Sequence, residues 1–135
     1  MNTYYFEKLK NDNLLLFNNF INANSGKANL KIRAYAANEA LPISNLHVIV
    51  STNYDDNKIV FFDGETDNSG MIDTLSLPVP ILDNDDLNVP NSILYDIEAI
   101  DSSYHADKVF QVRMYDNICV VQNIMIVPEV DSSGN

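Results

Sequence analysis

The strongest constraint in this chain is a rhythm: from Ala28 onward, short segments of alternating apolar and polar residues recur between turn residues. "NLKIRAYA" sets Leu30, Ile32 and Ala34 on one face and Lys31, Arg33 and Tyr35 on the other, the period of two that marks a half-buried strand. "NLHVIVST" repeats it with Leu46, Val48 and Val50 inward, after "LPIS", where Pro42 forbids a helix. "KIVFFDG", "MIDTLSL", "ILYDIEAI", "KVFQVRM" and "ICVVQNIMIV" supply five more such segments. Seven short strands with no helical pattern after residue 27 predict an all-β fold, a seven-stranded antiparallel β-sandwich.

The connections refine the expectation. Asp67-Asn68-Ser69-Gly70 puts a carboxylate where it can accept from the backbone two residues on, and a glycine where positive φ costs nothing. It is expected to close a hairpin between the third and fourth strands, with Leu75 and Leu77 feeding a strand face and Pro78 and Pro80 ending that strand. Hairpins use short loops, so the long polar stretch from Pro78 to Ser92 is expected to carry the chain from one sheet to the other.

Length and charge bound the function. A chain of 135 residues, 46% hydrophobic, suits one domain with one packed core. Nineteen acidic against eight basic residues give a net charge of -11, which repels phosphate backbones and anionic lipid, so neither nucleic acid nor an anionic membrane is an expected partner. No apolar run reaches the roughly 20 residues of a membrane span. Lys8 and Lys10 precede an apolar stretch, yet Asn18 and Asn19 interrupt it, and no secretion signal is expected. The reading divides the chain into an N-terminal arm (1–27), a sandwich (28–128) and a flexible tail (129–135).

Candidate chemistry is sparse. His47 is expected on the outward face of the second strand and His105 in a turn, without the convergent ligands zinc requires. The lone Cys119 forms no internal disulfide and reads as a small buried hydrophobe in an apolar strand. No Gly-x-Ser-x-Gly elbow occurs. No catalytic residue and no resident cofactor is expected, and calcium is the one candidate ion, because "DGETDNSGMID" (Asp63, Glu65, Asp67, Ser69, Asp73) and "DNDDLN" (Asp83, Asn84, Asp85, Asp86) offer alternating oxygens. Both miss the EF-hand glycine, which falls on Asn68 and Asn88. The core of the calcium candidate is Asp63, Asp67 and Asp73. Tyr35 and Tyr54 are candidate platforms for a sugar. The apolar arm, Leu14, Leu15, Leu16, Phe17, Phe20 and Ile21, must be buried against something: its own domain as a short helix or strand, or the sheet edge of a protein partner, another copy included.

The order of motifs resembles a known family. Pro42, Asn45, Thr66, Asp67, Gly70, Leu77, Pro78, Pro80, Tyr95, Tyr104 and Pro128 stand where the carboxypeptidase-regulatory-like, prealbumin-like β-sandwich places its marker residues. The pattern is most similar to the non-catalytic N-terminal domain of spore cortex-lytic and peptidoglycan-binding proteins of spore-forming Firmicutes. The resemblance covers about residues 28 to 128. It departs at Ser103, where the family has glycine, and at the acidic "ILDNDDLNVPNS". It implies a sandwich domain in the spore or cell envelope, without chemistry of its own. The catalytic or sugar-binding domains that follow it in the family are not seen before Asn135, so the expectation is a structural, protein-binding role, with self-assembly through the arm. An accessory peptidoglycan-binding role is the second expectation. The frequency of Asn and Ile agrees with a low-GC genome.

Overall fold

The computed structural model describes residues 14–36, 41–81, 92–101 and 106–126, with side chains omitted over 101–108. Residues 14–23 form one helix, α1. Seven strands follow: β1 (Gly26–Ala36), β2 (His47–Tyr54), β3 (Asn57–Glu65), β4 (Met71–Val79), β5 (Ser92–Asp101), β6 (Ala106–Tyr115) and β7 (Cys119–Ile126). A three-stranded sheet runs in the order β4-β1-β7 and a four-stranded sheet in the order β3-β2-β5-β6.

The alternation read from the sequence is the core. Leu30, Ile32 and Ala34 of β1 and Leu46, Val48 and Val50 before and within β2 are fully buried, facing Ile97, Met114, Ile124 and Ile126 from the other strands. Each buried aliphatic chain contributes roughly 1.5–3 kcal/mol of apolar transfer, so the sandwich rests on these inward rows. As expected, the long connection after β4 joins the two sheets, since β4 and β5 belong to different ones; its acidic residues 83–86 lie outside the described residues.

Three expectations change. The sandwich is not wholly antiparallel: β1 and β7 pair in parallel, from Asn29 against Cys119 to Ala36 against Ile126. The chain enters β7 from the other sheet through the turn at Asp116 and Asn117, so no hairpin dictates its direction. The turn at Asp67–Gly70 closes no hairpin either, because β3 pairs with β2 and β4 with β1; it is a corner between sheets. The hairpin of this region is β2–β3, closed by Asp55 and Asp56, both at positive φ (52° and 60°), as a type I′ turn demands. Finally, Pro78 does not end β4, which runs to Val79. As β4 is an edge strand, a residue lacking N–H fits there without breaking a ladder.

The corner is clamped from a second loop. The Asp67 carboxylate accepts from the N–H groups of Ser69 (2.8 Å) and Met71 (2.9 Å). The buried Thr66 hydroxyl donates to the Ile43 carbonyl (2.6 Å) and accepts from the Leu46 N–H (3.0 Å). Asn45, at φ 61°, sends its N–H to the Thr66 carbonyl. Gly70 has φ 73°, and a Cβ there would run into the Ala34 carbonyl oxygen. The residues that carried the family resemblance in this part of the chain therefore hold two loops together; their role is architectural.

Candidate functional site

The two open sides of the sandwich are built differently. β3 and β4 touch each other, so these edges share one side and β6 and β7 the other. Over the β3/β4 side lies α1. Its apolar residues follow helical spacing, which turns Phe17 and Phe20 inward. Phe20 is buried, with its ring 5.2 Å from Tyr54 and 5.7 Å from Phe61, and Phe17 lies 5.3 Å from Phe61. Phe61 continues inward to Tyr95 at 5.8 Å, edge-on, a geometry favoured by ring quadrupoles.

Phe61 occupies a bulge: Phe62 pairs with Val50 and Val60 with Ser51, which leaves Phe61 without a partner in the ladder. Such an extra residue re-aims its side chain. Asn24 ends α1, its amide donating to the Phe20 carbonyl (2.9 Å). A small cavity of about 90 Å³ between Ile21, Asn24 and Ser25 of the arm and Ser76 and Pro78 of β4 shows the helix end seated at that strand. Burial and contact to Tyr95 have a further consequence. The Tyr95 hydroxyl donates to the Pro78 carbonyl (2.5 Å), and burial pushes its ionisation well above the ordinary tyrosine range.

The arm therefore packs on its own domain as a helix, with Leu16 and Phe17 half-buried and Phe20 buried. Its other face points to solvent: Leu14 is 51% exposed, Leu15 69% and Ile21 36%. The β6/β7 side carries no such cover among the described residues. Val109 (63%), Val121 (57%), Ile118 and Met125 are exposed there. Cys119 is exposed too, against the expectation of burial: it stands opposite Asn29, on the solvent face of an edge strand. An apolar run conceals which of its residues face outward.

The remaining candidates separate. Tyr54 is no free platform, because Phe20 occupies its ring edge-to-face. Tyr35 does border an open groove of about 420 Å³ with Arg33, Ala34, Pro42 and Ser69, and the Arg33 guanidinium lies 5.4 Å from its ring centre, a cation–π arrangement. The calcium residues are not gathered: Asp67 serves the corner, Asp63 lies 2.5 Å from His47 Nε2, and Asp73 is exposed on β4. Among the described residues no group of three or more His, Cys, Asp or Glu side chains converges. His105 lies outside the described residues. Among them, too, no helix is long and apolar enough to cross a membrane.

Charge is distributed by strand, which composition could not show. Lys27, Lys31 and Arg33 form one file on the outer face of β1, the central strand between β4 and β7. Asp55, Asp56, Asp63 and Glu65 follow β3 and its turn. The described ion pairs are His47–Asp63 and Lys58–Glu98 (2.7 Å), both solvent-facing and thus weak; the β1 file has none.

The sequence matches no family model and no curated protein. Among solved structures the fold is similar to GBS52, the minor pilin of the gram-positive pathogen Streptococcus agalactiae, at 16% identity and a TM-score of 0.51, covering 79% of this chain and 48% of that one. It is also similar to the shaft pilin SpaA from Lactobacillus rhamnosus GG, at 13% identity and a TM-score of 0.53, covering 78% of this chain and 52% of the other. The chain thus spans about half the length of each. At such identity the likeness establishes the fold, a β-sandwich of the Ig-like, prealbumin-like kind.

Proposed function

We propose that this chain is a non-catalytic structural and interaction module of the bacterial spore or cell envelope, whose partners are proteins, a second copy among them. The observation that carries the reading is the double-faced helix: Phe17 and Phe20 are spent on the chain's own sandwich, while Leu14, Leu15 and Ile21 are held in the solvent by that same anchorage. Exposed apolar residues grouped on a rigid element mark contact surfaces more often than isolated ones do. The two similar pilins support an assembly role, being named as shaft and minor pilin subunits. Because α1 is docked, the surface on offer is a helix face; addition of the arm as a strand to a neighbour would first require it to undock.

A second reading has its own observation. The groove beside Tyr35, with Arg33 and Ser69 on its walls, has the volume of a small-ligand site and supports peptidoglycan binding by an accessory module. One experiment separates the two. Labelled full chain is sedimented with envelopes of a low-GC spore-forming bacterium, with protease-stripped envelopes, and with bare peptidoglycan. Retention by intact envelopes alone supports the protein-binding module. Retention by bare peptidoglycan, lost in Tyr35→Ala, establishes the second reading, and no retention anywhere removes both.

A further inference from the structure

We infer that the groove beside Tyr35 is a carboxylate site: it holds the free carboxylate at the end of a peptide chain, so that a peptidoglycan ligand is gripped by its peptide stem and not by its glycan. The inference rests on the second reading above and names the chemical group which that reading left open. Three observations carry it.

The first is construction. Three separate segments meet at the groove and are tied together through their backbones. The Ala34 N–H donates to the Gly70 carbonyl (2.8 Å), the Ile43 N–H to the Ala34 carbonyl (3.0 Å) and the Ala36 N–H to the Leu41 carbonyl (2.8 Å), while Tyr35 bridges to Pro42. The end of β1, the segment 41–43 and the corner 67–70 thus stand as fixed walls around about 420 Å³, lined by Arg33, Ala34, Tyr35, Pro42 and Ser69. Walls set in advance lower the cost of ordering a site when a ligand arrives. The clamp around Gly70 therefore also gives the groove its shape.

The second is the set of groups that converge there. The Arg33 guanidinium lies over the Tyr35 ring, 5.4 Å from its centre, a contact that restrains the side chain without using its N–H donors. Among the described residues no hydrogen bond or ion pair engages those donors, and the hydroxyls of Tyr35 and Ser69 are likewise without a hydrogen-bond partner. A guanidinium presents parallel N–H groups that match the two oxygens of a carboxylate, and each hydroxyl can donate to an acceptor beside it. Ala34, Pro42 and the Tyr35 ring offer apolar surface to the residue that bears the carboxylate.

The third is charge, which selects the ligand. The neighbours of Arg33 across the sheet are uncharged, Met71 on β4 and Asn123 on β7. At the corner, the Asp67 carboxylate is engaged by the N–H groups of Ser69 and Met71. Lys31 stands one repeat earlier on the same outer face of β1. The site is cationic within a chain of net charge -11, which repels multiply charged anions at longer range. A single carboxylate on a short neutral chain meets the donors with little of that repulsion, whereas a phosphate dianion meets more. A neutral amino-sugar chain gives the guanidinium no charged acceptor.

The test titrates the isotope-labelled full chain with N-acetyl-D-alanyl-D-alanine, its L,L counterpart, the C-terminal amide of each, and chitotriose, read by amide shifts in NMR spectra that also report folding. The D,D free acid should shift signals around Arg33, Tyr35 and Ser69, and its amide should bind at least roughly tenfold more weakly, because a hydrogen bond to a charged group is lost. Arg33→Gln should weaken binding of the acid by a similar factor, and Arg33→Lys by less, since lysine keeps the charge but not the fork. Arg113→Gln removes a cation from the exposed face of β6 and should bind as the wild type does. Equal binding of acid and amide, or loss of binding in Arg113→Gln as large as in Arg33→Gln, would overturn the inference. So would shifts from chitotriose alone, which leave the peptidoglycan reading standing, and shifts from the L,L acid alone, which remove that reading too and assign the groove to protein C-termini. No shift from any probe, in a chain that bare peptidoglycan still sediments, would remove this inference and keep the reading beneath it.

Discussion

The β3/β4 side and the β6/β7 side of this sandwich face the same problem, an open seam between two sheets, and meet it differently. On the first, a bulge swings Phe61 out of the ladder, two phenylalanines from α1 close over it, and Tyr95 ties the seam to β4 through the Pro78 carbonyl. On the second, no described element covers the edge, and valines stand in solvent at Val109 and Val121. The side that carries the buried aromatic cover is thus also the side whose helix holds Leu14, Leu15 and Ile21 in solvent.

The largest effect should come from removing the cover. Phe20→Ala deletes a fully buried ring that touches both Tyr54 and Phe61, and the expected loss is about 3 kcal/mol or more, in line with other buried phenylalanines. Urea denaturation would measure it, and Val121→Ala on the open side is the control, expected to change stability by no more than about 0.5 kcal/mol. Equal effects of the two substitutions would break the comparison between sides.

The next effect is expected at the corner that leads from β3 to β4. Gly70→Ala meets two penalties at once, a left-handed φ of 73° and a Cβ aimed at the Ala34 carbonyl oxygen, with Pro42 also close by. A cost of about 2 kcal/mol follows from strain of this kind, read as a lowered melting temperature with the helix signal retained. Loss of α1 in this variant would show that the cover depends on the clamp.

Tyr95 gives a smaller effect with a pH signature. Burial raises its ionisation in the folded state above the unfolded value, so the folded chain binds that proton more tightly. Its contribution is fully present below the unfolded tyrosine pKa of about 10 and is lost as pH rises beyond it. Stability should fall on the alkaline side, and Tyr95→Phe should flatten that fall. Near neutrality the same variant should cost about 1 kcal/mol, the usual worth of one hydrogen bond.

Much of the fold was legible because it rests on local pattern. The inward rows of β1 and β2 are visible as alternation, and the crossing after β4 as a stretch too long for a hairpin. Pairing was not legible where it depends on distant partners. Asp67 and Gly70 signal a turn equally well whether the strands they join pair with each other or with β2 and β1. Asp55-Asp56 is a faint turn signal because aspartate at positive φ has a weaker signature than Asn-Gly, its position between two strands being the clue it offers. The candidate surfaces were half visible. The arm's hydrophobicity announced that it packs, and its helical spacing sets Phe17 and Phe20 on the face opposite Leu15. The basic file on β1 was written in the alternation of Lys31 and Arg33, but its place between β4 and β7 is a property of the assembled sheets.

The smallest expected effect sharpens the comparison most economically. Cys119 opens β7 on its solvent face, opposite Asn29, so Cys119→Ser exchanges one small exposed group for another and should shift stability by less than about 0.5 kcal/mol. A cysteine buried in a strand would behave otherwise, since its hydroxyl replacement would be left to find a partner in an apolar core. The thiol of the native chain should therefore react with a maleimide at the rate of an unstructured peptide thiol, with no dependence on denaturant. Labelling that speeds up on adding denaturant would show Cys119 shielded in the native chain.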